Sequence, residues 1–259
     1  MRVLITGGTG LIGSELTNNL CADGHDVIIL SRSGTSDTFL PSHAQLVKWD
    51  GRTAEGWGRL VNEVDAIVNL AGESISGANP VSGRWTAARK QRIVDSRVQA
   101  GQAIVQALKS ATKRPEVLVQ ASAVGYYGPH GDEPVTEDTA PGNDFLANVC
   151  KQWEASVAGV EALGVRLAIV RTGVVLSSGG GALPFMALPF RYFVGGPLGS
   201  GRQYVPWIHE EDQISAIRFM IEHQSMRGAY NVCAPKPVTN ADFGKTIGRA
   251  LRRPSYMPA

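Results

Sequence analysis

Cysteine is scarce in this chain, and long apolar runs are missing altogether. The three cysteines, Cys21, Cys150 and Cys233, are odd in number and widely spaced. That pattern is no disulfide framework, and no pair has the short spacing of a zinc site. A metal-free protein of a reducing compartment is expected. No apolar stretch approaches the roughly 18 residues that cross a bilayer, so no membrane insertion is expected. The N-terminus runs directly into Arg2-Val3-Leu4-Ile5 without a basic region, apolar stretch and cleavage site. Charge of one sign is lacking too: 25 Lys+Arg against 23 Asp+Glu leave a net +2, too little bias to suggest nucleic acid. The small clusters Arg89-Lys90-Arg92 and Arg252-Arg253 read as solvated helix faces. A soluble, cytoplasmic protein is expected, or a plastid or mitochondrial-matrix one if processed.

What is present is an alternation of short apolar runs and helical patterns, the signature of a parallel sheet covered by helices on both faces. Strands are read at Val3–Thr6, Val27–Leu30, Leu46–Trp49, Ala66–Leu70, Val117–Ala121 and Leu167–Arg171. Helices are read at Leu11–Ala22, Thr86–Lys109 and Phe145–Leu163. Past residue 172 the pattern loosens into two Gly-rich loops and short elements: Tyr204–Ile208, a helix from Glu211 to His223, Tyr230–Val232, and a last helix after Asn240. The expected architecture is a Rossmann-type doubly wound α/β domain over 1–172, with a small C-terminal α+β substrate lobe over 173–259. Part of that last segment is expected to return to the first domain. Many of the 30 glycines fall in loops, where function usually sits.

The strongest motif is Thr6-Gly7-Gly8-Thr9-Gly10-Leu11-Ile12-Gly13, lying between a strand and a helix. Gly7 permits the tight turn, Gly10 lets the backbone approach a pyrophosphate, and Gly13 lets the helix pack on the strand. Amides at the helix start, with Thr9, Leu11 and Ile12 among their neighbours, favour negative charge there. The second strand ends Leu30-Ser31-Arg32-Ser33. An acidic residue at that point would select NAD; Arg32, with Ser31 or Ser33, suits a 2′-phosphate instead. NADP(H) is therefore the expected cofactor. Asn69-Leu70-Ala71-Gly72 ends the fourth strand with small residues where cofactor would lie over the backbone. Asp50 fits either an adenine contact or an exposed loop, and Glu73 either a pocket or a loop.

These residues resemble the extended short-chain dehydrogenase/reductases. The resemblance covers nearly the whole chain, including Ser122-Ala123-Val124-Gly125-Tyr126-Tyr127-Gly128 and Trp207-Ile208-His209 followed by Asp212. Trp153-Glu154, Arg171 to Leu176, Gly195 to Gln203 and Asn231 to Pro235 are similar to its atypical, 39U-like "epimerase family" branch, which has division-linked cyanobacterial and plastid members. The resemblance implies an oxidoreductase acting on a small carbonyl or sugar-like substrate. It also implies two partner expectations, a homodimer through the two long helices and a division-related protein partner. Relatives usually run some tens of residues beyond Tyr256-Met257-Pro258-Ala259.

Departures from the family pattern are as informative. The resemblance implies a Tyr and, four residues later, a Lys that holds the ribose and lowers the Tyr pKa; here those positions are Leu146 and Cys150. The family's Ser or Thr aligns with Ala123 or, one position earlier, Ser122. Ser122 and Tyr126 are the candidate catalytic residues, with Tyr127 and Lys151 as substitutes also weighed. An Arg that grips a sugar diphosphate is replaced by Val205, leaving Arg191 and Arg202 as possible stand-ins. His209 reads as structural, tying down the start of the helix at Asp212. The alternative to an enzyme is a catalytically silent NADP(H)-binding regulatory protein.

Overall fold

Strands without polar alternation need cover on both faces. A computed structural model describes residues 1–34, 40–75 and 84–256. In chain order it comprises β1 (Arg2–Thr6), α1 (Leu11–Ala22), β2 (Asp26–Ser31), β3 (Ala44–Lys48), β4 (Ala66–Asn69) and α2 (Ala87–Ser110). Next come β5 (Val117–Ala123), α3 (Phe145–Ala155), β6 (Arg166–Thr172), β7 (Val174–Ser177), β8 (Gly180–Gly181) and α4 (Ala182–Arg191). The chain ends with β9 (Tyr204–Val205), β10 (Trp207–His209), α5 (Glu210–Glu222), β11 (Gly228–Val232), β12 (Val238–Thr239) and α6 (Asn240–Leu251).

Seven strands form one sheet in the order β11-β6-β5-β4-β1-β2-β3, every neighbouring pair parallel. This is the doubly wound order. Its crevice opens at the carboxyl ends of β1 and β4, where successive connections depart in opposite directions. The Rossmann-type α/β fold expected from the sequence is the fold observed.

Alternation along each strand divides the core into two layers. Val3 and Ile5 pack with Val27, Ile29, Val68 and Val119 under Leu16 and Leu20 of α1 and Ile214, Ile217 and Ile221 of α5. Leu4, Ile28, Ile67 and Leu118 face the other way, onto Ala100, Ile104 and Leu108 of α2. A separate small core holds Phe190, Val205, Phe243 and Ile247. Polar caps set the helix starts: Thr86 accepts from Arg89 N–H at 3.3 Å, Asp144 from Ala147 N–H at 2.8 Å, and Thr239 from Asp242 N–H at 3.2 Å. Arg166 closes the other end of α5, donating to the carbonyls of Met220, Ile221 and Met226 at 2.7–3.0 Å.

Several boundaries differ from the sequence reading. The helix read as continuous from Phe145 to Leu163 breaks after Ala155 and resumes as a tight turn at Ala158–Leu163. Ser156 Oγ donates to the Trp153 carbonyl at 2.6 Å, and Val157 turns fully into the core. The element read as Tyr204–Ile208 is two strands parted by Pro206, β9 pairing with β12 and β10 with β7. β3 starts and ends earlier than read, leaving Trp49 beyond it, its indole N–H bonded to the Thr53 carbonyl at 2.7 Å. β11 extends the main sheet beside β6, and α5 covers that sheet. Among the described residues, no helix is long and apolar enough to cross a membrane.

Candidate functional site

The turn between β1 and α1 is built around missing side chains. Gly7 has φ +71°, and a Cβ there would stand 2.8 Å from the Leu70 carbonyl oxygen. A Cβ on Gly13 would stand 2.6 Å from Gly8 Cα and collide with the Gly7 carbonyl oxygen. The helix therefore seats directly on the turn. Gly10 is the N-cap of α1 and offers no side-chain hydrogen bond, and the first turn carries no acidic residue. Its leading amides are left for an external anion.

These amides face a cleft of about 750 Å³ lined by Gly7, Thr9 and Gly10 of the turn, Ser31, Arg32 and Ser33 at the end of β2 and just past it, and Leu70, Ala71 and Gly72 after β4. Three other sequence candidates do not line it. Ile12 packs against the core, Gly13 lies under the turn, and Leu11 borders the β7–β8 hairpin, where a Cβ on Gly181 would lie 2.8 Å from its Cδ2. They are placed to contribute backbone amides rather than side chains.

Two cations in the cleft were not read from the sequence, Arg52 and Arg92, the latter expected only on a solvated helix face. Arg52 lines it together with Arg32, and among the described residues neither guanidinium is in an ion pair. Asp50 explains the placement: its carboxylate accepts from the amides of Arg52 (2.8 Å) and Thr53 (2.9 Å) and from the Thr53 hydroxyl (2.8 Å). Although burial alone would raise its pKa, these bonds hold it below the ordinary carboxylate value. Asp50 is thus a loop-forming residue whose oxygens are engaged in holding Arg52 at the cleft rim. Glu73, also in the lining, pairs with Arg92 at 3.4 Å. The cleft fits a dinucleotide: its lining brings together the bare amides of the turn, the guanidiniums of Arg32 and Arg52 and the Ser31 and Ser33 hydroxyls, which lie 3.1 Å apart.

At the carboxyl end of β5 the structure gathers a second cluster. The Ser122 hydroxyl donates to Glu154 Oε1 at 2.6 Å, and Glu154 receives both Nε and Nη2 of Arg171 at 3.0 Å. Arg171 Nη1 donates to the Tyr127 hydroxyl at 2.8 Å, which donates to Asn231 Oδ1 at 2.7 Å. The Tyr126 ring lies against the same guanidinium, 3.6 Å from its central carbon. Burial would lower the Arg171 pKa, but Glu154 and Tyr127 hold it above the ordinary value; burial raises that of Tyr127. Ser122 and Tyr126 are thus brought together around Arg171, although neither lines the cleft. Glu154 and Arg171, quoted in the sequence only as motif letters, connect them.

Leu146 and Cys150 lie on the α3 face that looks at this cluster. Leu146 Cβ would be 3.6 Å from a Cβ on Gly125, and the Cys150 thiol is buried beside Ser122 and the Ala123 backbone. Burial pushes that thiol up although Ser122 and the Ala123 backbone pull the other way, so it stays protonated at neutral pH. Iodoacetamide is expected to leave Cys150 unmodified until the protein unfolds. Labelling of Cys150 itself in the native protein at the rate of a free thiol, apart from the less buried Cys233, would contradict this. Lys151 is half-buried, one position round from that face. Val205 belongs to the small core, while Arg191 and Arg202 are exposed and outside the cleft lining. The His209 ring accepts from Glu211 N–H at 3.3 Å and caps α5, so the helix starts at Glu210.

A doubly wound sheet with a glycine-rich phosphate turn and a cationic rim defines a Rossmann dinucleotide-binding protein. Residues 3–233 match the NAD dependent epimerase/dehydratase family, and the chain belongs to that family. It is 39% identical over 259 residues to "Epimerase family protein YfhF" of Bacillus subtilis, covering 100% of this chain and 82% of the relative. It is 40% identical over 260 residues to "Epimerase family protein SDR39U1" of Bos taurus, covering 100% and 83%. Among solved structures, human epimerase family protein SDR39U1 (isoform 2) with NADPH superposes with a TM-score of 0.86 at 37% identity, covering 100% of this chain and 82% of that one. The 39U-like, epimerase-family resemblance read from the sequence is what the comparisons find.

Proposed function

We propose that this protein is an NADP(H)-dependent oxidoreductase acting on a small carbonyl or sugar-like compound held at the carboxyl ends of β4 and β5. The observation that carries the cofactor reading is the pair of guanidiniums, Arg32 and Arg52, beside the Ser31 hydroxyl in the cleft, neither in an ion pair among the described residues. NADPH in the human relative's structure supports it. Arg32→Ala is expected to weaken NADPH binding about 10- to 100-fold, since a charge-assisted hydrogen bond contributes roughly 1.5–3 kcal/mol. NADH binding should change little. Equal losses for both cofactors would remove Arg32 from the 2′-phosphate role.

When bound, the nicotinamide supplies hydride exchange at C4. The protein's part is to hold and move a proton. Tyr126 is suited to exchanging it, because its hydroxyl forms no hydrogen bond with the protein among the described residues and its ring is held by Arg171. Ser122, whose hydroxyl donates to Glu154, can polarise a carbonyl oxygen by turning that O–H from the carboxylate to the substrate. Turnover of NADPH with a panel of small aldehydes, ketones and sugars tests this reading. Tyr126→Phe is expected to lower kcat at least about 100-fold with NADPH affinity unchanged. No turnover across the panel despite tight NADPH binding would end it.

The absence of a proton-exchanging pair at Leu146 and Cys150 favours one second reading, a catalytically silent cofactor-responsive partner protein. It predicts that partner association follows NADPH occupancy and is lost with it.

A further inference from the structure

α2 carries a buried cation that neither the phosphate turn nor the Arg171 cluster accounts for. Arg97 is 7% exposed. Its Nη1 donates to the carbonyls of Ile93 (3.0 Å) and Glu73 (3.1 Å), and its guanidinium carbon lies 4.8 Å from the centre of the Trp153 ring. Among the described residues it is in no ion pair. Burial lowers its pKa, with Cys150 and Glu73 pulling the other way. A guanidinium withdrawn from water without a carboxylate is costly, and a neutral amide would serve two carbonyls as well. The charge itself needs a reason.

Its location supplies one. A Cβ on Gly72 would stand 2.9 Å from the Arg97 guanidinium carbon and 3.2 Å from both terminal nitrogens. Gly72 and Glu73 line the cleft just past β4. With the adenosine half over β2 beside Arg32, the other half of a dinucleotide runs across the crevice toward β4 and β5. Cys150, which senses the Arg97 charge, stands where the resemblance places a lysine. An ammonium is missing from α3, and a guanidinium from α2 stands behind the same stretch of cleft wall, separated from it by a glycine backbone.

We propose that Arg97 is a positioning residue for the nicotinamide half of the cofactor: it fixes the Gly72–Glu73 backbone and sets a positive charge behind it. The site then holds the reduced, uncharged nicotinamide more tightly than the oxidised, cationic ring, so it loads with the reduced cofactor and releases the oxidised one readily. This inference rests on the dinucleotide reading of the cleft. A fixed charge in a poorly screened environment behind that stretch of cleft wall is expected to separate the two affinities by about tenfold.

The test is a fluorescence titration with NADPH, and its displacement by NADP⁺ and by 2′,5′-ADP, which carries the adenosine half alone. The unaltered protein, Arg97→Gln and Arg97→Lys are compared, each with a thermal melt. The glutamine variant keeps an N–H donor and loses the charge. Its NADPH-to-NADP⁺ preference should collapse toward unity while 2′,5′-ADP binds within about twofold of the original; the lysine variant should retain most of the preference. A glutamine variant with the original preference, or with equal losses for all three ligands, overturns the inference, because either result marks Arg97 as a backbone clip. If the glutamine variant does not fold, the unaltered protein still decides: NADP⁺ binding as tightly as NADPH overturns the proposal. Failure of all three ligands to bind the unaltered protein would instead sink the dinucleotide reading itself.

Discussion

Gly10→Asp is expected to abolish dinucleotide binding, a loss of at least three orders of magnitude, with little effect on folding. A Cβ at this position meets only the Gly7 carbonyl oxygen, at 3.3 Å, so the backbone can accept it with a small shift. An aspartate is also a good N-cap residue for α1. Its carboxylate, however, would take the hydrogen bonds and the favourable end of the helix dipole that a pyrophosphate needs, and would repel that pyrophosphate. Gly13→Ala should behave differently. Its Cβ has nowhere to go between Gly7 and Gly8, so overpacking should cost about 1–3 kcal/mol of stability as well as binding. Thermal melts and NADPH titrations of the two variants separate these outcomes. Normal NADPH affinity in Gly10→Asp would place the pyrophosphate elsewhere.

The second large effect is on stability. Arg171→Met should cost about 3–5 kcal/mol, because it leaves the Glu154 carboxylate buried without its bidentate partner. The Arg171 and Glu154 side chains are 6% and 12% exposed, so water cannot step in freely. The same change at Arg218, which pairs with Asp23 and Glu222 at the surface, should cost no more than about 1 kcal/mol. Replacing both partners, Arg171→Met with Glu154→Leu, should recover part of the loss. Urea denaturation of the three variants checks the order. An Arg171→Met protein as stable as the Arg218→Met one would mean that the buried pair does not hold β6 to α3.

The phosphate turn was legible in the sequence because its physics is local: three glycines between a strand and a helix allow few other readings. So was the parallel sheet, since strands buried on both faces spell continuous apolar runs such as Val117–Val119 and Leu167–Val170. The α2 start was legible from Thr86, and the loss of the proton pair from Leu146 and Cys150. What could not be read was assembly across elements. Ser122 and Tyr127, Glu154, Arg171 and Asn231 come from four separate stretches, and helical or strand periodicity says nothing of which stretches meet. One signal was available, however: an arginine closing the apolar run Leu167–Val170 should have raised the question of its buried partner. Arg52 was missed because its role depends on Asp50 shaping the loop around it. The break at Ser156 was hidden because Val157 and Val160 keep an apolar spacing that suits a continuing helix equally well.

The central claim is that the cleft over β1 and β4 holds a phosphorylated dinucleotide. Isothermal titration calorimetry of the folded protein with NADPH and, separately, NADH tests it most directly. One NADPH per chain, bound at least about tenfold more tightly than NADH, is the result predicted. Heat of dilution alone for both ligands, from a protein shown to be folded, would contradict it.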